Sequence, residues 1–180
     1  MILNLNEKNP AVLLEVVRRA FIESPSAVRF ELVGPGNMLH DTALMLFDEL
    51  QNRPLGMRLH MDSRTSLFDG AVLIWLSGDT RTMRRDAWIQ LSEIPETPAN
   101  GKTVDGECDY RGSIIAHDED PTDTDLRTIM EHLSEWLPVD EVAGLRMFPQ
   151  DMRDLGLLDG EIETETLAGL FNRKSILVRK

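Results

Sequence analysis

Cysteine is nearly absent from this chain: Cys108 is the sole one in 180 residues, which excludes an internal disulfide framework. A lone thiol, with no signal peptide ahead of it, suits a reducing cytoplasm. Long hydrophobic runs are missing as well. The longest, Ala71–Leu76, is about a third of the roughly 18 residues a membrane helix needs. Basic patches are also lacking. The chain has 31 acidic residues against 19 Lys and Arg, a net charge of −12, and its short basic pieces Arg84–Arg85 and Asn172–Lys174 lie among acids. Such a surface repels phosphate backbones and anionic headgroups, which argues against nucleic acid and membrane as partners. What is present is a hydrophobic fraction of 42% at ordinary single-domain length, enough to build a core.

The pattern of apolar residues predicts alternating strands and helices. Met1–Leu5 reads as a short strand, and Asn9–Pro10 as a capped helix start, with proline where its missing N–H costs nothing. Val12, Leu13, Val16, Val17, Ala20 and Phe21 then recur at helical spacing up to Glu23. Val28–Val33 reads as a strand ending in the turn Gly34–Pro35–Gly36–Asn37, His40–Asn52 as a helix, and Met57–Asp62 as a strand with alternating faces. A helix over Ser66–Ser77 closed by Gly78 and a third strand over Asp86–Ile94 follow. Strands separated by helices of this length imply parallel pairing with right-handed crossovers. Pro95–Pro121, with its prolines, glycines and acids, reads as a long acidic excursion. Helices are expected over residues 123–137, 149–155 and 164–171, with a last strand over Ser175–Val178.

Three pieces carry a family resemblance. They are Leu32–Asn37 leading into a helix that ends at Arg53–Pro54; Met57–Asp62 followed by Ser66 to Gly78–Asp79–Thr80–Arg81; and Met147–Asp159 with its Gly156–Leu157–Leu158–Asp159 ending. In order and spacing they resemble the proteolytic subunit of the Clp protease and its crotonase-like relatives. The resemblance implies an α/β fold, a ClpP/crotonase-like spiral of β-β-α units with a parallel sheet flanked by helices. It spans residues 27–160, leaving residues 1–26 as an N-terminal strand and helix extension and 161–180 as a C-terminal tail. It also implies assembly, since family members form trimers, hexamers or stacked rings through the helices and the extension where residues 95–121 stand.

A peptidase of this kind needs a nucleophilic hydroxyl, a histidine to take its proton, an acid behind the histidine, and amides to receive the oxyanion. Counting forward from Pro54, the resemblance puts Ser66 at the nucleophile; counting back from Gly70–Ala71, it puts Phe68 there. Both registers stand. The oxyanion loop falls on Gly34, Gly36 and Asn37, with Asn37 in place of a second glycine. The base position falls on Ser92 and the acid position on Gly144, and neither residue type can do that work. Asp140 and Glu141 are the nearest acids to the latter.

Each remaining suspect has a plainer reading. Ser66 with Asp69 three residues on fits a helix cap. His60, facing away from Leu59 and Met61, reads as a half-buried strand histidine, and His40 as a first-turn helix residue. His117–Asp120 with Asp105, Glu107 and Asp109 lacks the spacing of a calcium loop and reads as a solvated stretch, so no metal and no cofactor are expected. His132 reads as exposed. Cys108, among carboxylates, reads as unreactive, and the three tryptophans as packing. The expectation is a non-catalytic protein acting as a homo-oligomer or by co-assembly with a protein partner such as an active paralogue. The alternatives are a serine hydrolase rebuilt around Ser66 with His60 or His40, and an acyl-thioester binder using amides at Gly36 and Ser66–Phe68.

Overall fold

The computed structural model describes residues 1–24, 26–93 and 123–162. The acidic excursion, Cys108, His117 and the helix and strand expected after residue 163 lie outside the described residues.

Strand β1 (Ile2–Asn4) leads through Asn9, whose side chain accepts from Ala11 N–H at 3.1 Å, into helix α1 (Pro10–Glu23). Strand β2 (Ala27–Val33), helix α2 (His40–Gln51) and strand β3 (Arg58–Ser63) then follow within a residue or two of where the apolar spacing puts them.

The next stretch departs from that spacing. Ser66 does not begin a helix. Leu67 N–H donates to Trp88 O at 2.9 Å, which pulls the chain into the two-residue strand β4 (Leu67–Phe68), and helix α3 (Asp69–Leu76) starts only after it. The N-cap position is therefore Phe68 in extended conformation, with no side-chain cap bond. Among the described residues a strand that the spacing does not announce, β5 (Thr80–Arg84), pairs with β3, and of the strand expected over residues 86–94 only β6 (Ile89–Gln90), which pairs with β4, forms. Arg84, Arg85 and Asp86 at the junction gave no apolar signal for β5, whose only buried residue is Met83.

Helix α4 (Asp123–Leu133) is shorter than its apolar stripe, because Pro138 opens a separate turn, α5 (Val139–Val142). Strand β7 (Arg146–Met147), helix α6 (Pro149–Asp154) and strand β8 (Gly160–Ile162) complete the described chain.

The strands form a five-stranded parallel sheet in the order β1-β2-β3-β5-β8 and a small sheet β4-β6-β7. The result is the mixed α/β, Clp-protease-like architecture that the motifs imply. Val28, Phe30, Leu32, Leu59, Met61 and Met83 point from the large sheet into the core against the helices. Helix α3 is buried on all sides, Gly70 to Leu76, as expected of a helix with no polar face. Its Gly70 lets α2 approach so closely that an added Cβ would lie 2.5 Å from the Ala43 Cβ.

Among the described residues no helix covers the opposite face of the large sheet, which is polar. In register across β2, β3 and β5 stand Arg29, His60 and Thr80, then Glu31, Asp62 and Thr82. Asp62 is buried beneath Arg29 and Thr82, both of which donate to its carboxylate.

The sheet edge is fastened by charge. Glu161 on β8 accepts from Arg153 Nη2 of α6 and from Arg85 Nε at 3.1 Å, and the bond from Arg153 first, then that from Arg85, hold its carboxyl below the ordinary glutamate range. A depressed carboxyl contributes stability that is present above its unfolded value, about 4.3, and is lost as pH falls through the lower folded value. Glu161→Gln should therefore melt at lower temperature than wild type near neutrality, with the gap closing at strongly acid pH. Thermal unfolding at both pH values checks this, and the gap should be small because the pairs face solvent.

Candidate functional site

Three segments converge at the N-terminal end of α3. The first is the turn after β2, where Gly34 (φ +108°) and Gly36 (φ +77°) hold backbone conformations that side-chain-bearing residues avoid. Gly36 lies against β4 so tightly that an added Cβ would come within 1.7 Å of Ser66 O. Across that contact Phe68 N–H donates to Gly36 O at 2.9 Å. The second segment is Ser66–Asp69, and the third is the strand end Trp88–Ser92.

Ser66 is half-buried, and its Oγ accepts from Trp88 N–H at 3.2 Å. No imidazole hydrogen-bonds it among the described residues. His60 lies on the polar face of the sheet, its Nδ1 joined to Thr80 Oγ1. His40 sits on the first turn of α2. His132 lies against Phe47, ring centroids 4.8 Å apart; this contact places it at the α2–α4 packing and not on the free face its spacing suggested.

The amides beside Ser66 are already bonded. Leu67 N–H donates to Trp88 O, and Phe68 N–H to Gly36 O, each at 2.9 Å. Phe68, the alternative residue at the nucleophile position, carries a ring that meets Trp88 edge-on at 5.0 Å. Arg146 of β7 lies over that indole, 4.4 Å from its centroid. The stack Phe68–Trp88–Arg146 thus holds the small sheet together with apolar and cation–π contacts.

Ser92, which the resemblance puts at the base position, donates Oγ–H to Asp69 Oδ2 at 2.8 Å, while its N–H donates to Asp69 Oδ1 at 2.7 Å. Asp69 is the one non-glycine residue with positive φ (+39°) among the described residues. Such a conformation costs roughly 1–2 kcal/mol, and the paired bonds to Ser92 offset it. A carboxylate at the first residue of α3 also gains from the partial positive charge of the helix start. Sequence reading found Asp69 only as a cap for Ser66; it is instead the partner of Ser92. The signal available was its place directly before Gly70–Ala71.

Gly144, which the resemblance puts at the acid position, has φ +77°, and its N–H donates to Leu91 O at 2.8 Å. An added Cβ would meet Glu93 Oε1 at 2.6 Å. Gly144 thus turns the backbone from α5 into β7 beside the strand end that carries Ser92.

Comparison with known proteins separates fold from sequence. No family model matches the chain, and no curated protein matches it significantly. Among solved structures, the catalytic domain of the ClpP protease from Plasmodium falciparum superposes with a TM-score of 0.63 at 14% identity, over 92% of this chain and 85% of that one. At that identity the likeness extends to the fold.

Proposed function

We propose that this chain is a non-catalytic protein on a Clp-protease-like scaffold, acting by assembly with copies of itself or with a protein partner. The observation that carries this reading is the pairing of Ser92 with Asp69. A serine hydroxyl attacks only when a base accepts its proton, and at the base position stands a second hydroxyl whose own proton is directed to a carboxylate. Ser66, for its part, receives a hydrogen bond from a backbone amide, an interaction that lowers rather than raises the electron density on its oxygen. The bonds from Leu67 and Phe68 N–H to backbone carbonyls point the same way, since an oxyanion hole needs donors aimed at the developing charge.

Assembly is favoured by the sheet. All-parallel sheets are ordinarily covered on both faces, whereas among the described residues helices cover only one face of this one.

A fluorophosphonate probe, which phosphonylates activated serines, tests the reading. The native protein should emerge unlabelled by intact-mass spectrometry under conditions that label an active serine hydrolase completely. An adduct on Ser66 that disappears in Ser66→Ala would overturn it in favour of a rebuilt serine hydrolase.

A further inference from the structure

Helix α1 turns Leu13, Val17 and Ala20 toward the core, and a second row stands on its outer side. Ala11, Glu15, Arg18 and Ile22 follow one another at steps of four, three and four residues, the spacing of a stripe along a helix. All four are exposed, Ile22 to 82%. With Leu14 they line a shallow groove along the helix. Arg18 bonds Glu49 of α2 at 2.7 Å, and Arg19, beside the row, bonds Glu23 at 2.7 Å. Glu15 forms no ion pair among the described residues.

The row is its own complement when reversed. From either end it runs apolar, charged, charged, apolar, and the two charges are opposite in sign. Singly exposed apolar side chains are ordinary; what sets Ile22 apart is its place in this order. We propose that two copies of this chain associate through α1, the helices antiparallel about a two-fold axis. That arrangement sets Glu15 against Arg18 of the second copy and Ile22 against Ala11 of the second copy, each contact made twice. A parallel pairing would instead set glutamate against glutamate and arginine against arginine. Arg18 carries five N–H donors, so it can keep Glu49 and still donate to Glu15 of the second copy. The inference rests on the assembly reading above and gives that assembly one contact. A helix of 14 residues is only about 21 Å long, so the contact is small and the association weak and concentration-dependent.

Sedimentation velocity of the full chain tests this. Wild type should dimerise at high micromolar concentration and dissociate as salt rises. Ile22→Lys should weaken the dimer about tenfold or more and leave the fold intact, since the side chain is exposed and a cation suits the end of a helix. Glu15→Arg should weaken it similarly. Adding Arg18→Glu to Glu15→Arg exchanges the two charges and should recover most of the association, as a parallel pairing would not. Wild-type oligomers unmoved by Ile22→Lys and Glu15→Arg would overturn the α1 pairing and leave assembly through another surface. Loss in Glu15→Arg without recovery in the exchanged chain would overturn the antiparallel order. A wild-type chain that stays monomeric would overturn the pairing and homo-assembly together. Circular dichroism checks the fold of each variant. Should Arg18→Glu, which sets a glutamate beside Glu49, unfold the chain, Ile22→Lys and the salt dependence of the wild type decide.

Discussion

Gly36→Ala is expected to lower the stability of the chain by roughly 3 kcal/mol or more. Two effects add. The residue has φ +77°, where a Cβ costs about 1–2 kcal/mol. The new methyl would also fall 1.7 Å from Ser66 O and 2.8 Å from Ser66 C, and these are main-chain atoms that no rotamer change can move aside. The turn must therefore lift away from β4, breaking the bond from Phe68 N–H to Gly36 O. Gly56→Ala separates the two contributions: Gly56 has nearly the same φ, +82°, with nothing within 4 Å of its added Cβ. Its substitution should cost only about 1 kcal/mol. Urea denaturation of both variants gives the difference, and faster hydrogen exchange at Phe68 in Gly36→Ala alone would locate it. Equal costs at the two glycines would show that the turn yields without resistance and that the contact with β4 holds nothing in place.

The second large effect belongs to Asp69. Replacing it removes both acceptors of Ser92, and hydrogen bonds to a charged group contribute about 1.5–3 kcal/mol when buried, less at a half-exposed site such as this. Alanine also keeps the strained φ of +39° without the bonds that offset it, so Asp69→Ala should lose about 2 kcal/mol. Asparagine tolerates the left-handed region and retains one side-chain acceptor, and should lose the least. Glycine also lacks both acceptors but carries no strain penalty at positive φ, and should fall between them, about 1 kcal/mol more stable than alanine. Chemical denaturation of the three variants gives the order Asn, Gly, Ala. Alanine no worse than glycine would show that the positive φ carries no cost and that Asp69 is held there by the fold around it rather than by Ser92.

These two positions mark where reading along the chain ends. The turn Gly34–Asn37 is legible because Gly-Pro-Gly after an apolar run has few conformations open to it. That Gly36 must remain glycine because of Ser66 O, thirty residues on, is a contact between distant segments and leaves no local pattern. Ser66 with Asp69 has the spacing of a cap, and local spacing favours that reading; the competing bond from Leu67 N–H to Trp88 O is non-local, and it prevails because β4 then completes a second sheet. The shortening of the expected Asp86–Ile94 strand to β6, and the strand β5 ahead of it, have the same cause. Thr80–Arg84 carries a single buried side chain, too little periodicity to announce a strand, yet the edge of β3 offers it four register pairs.

The amino-acid sequence alone determined the run of most of the helices and strands, their parallel pairing and the likeness to the Clp protease scaffold. Each of these follows from side-chain spacing or from side-chain chemistry, properties a chain carries before it folds. The tertiary structure alone decided what the site residues bond to: Ser66 to Trp88, Ser92 to Asp69, Phe68 to Gly36. Hydrogen bonds between segments twenty to sixty residues apart depend on how elements dock, and docking is decided by the summed burial of the whole core rather than by any one stretch of sequence.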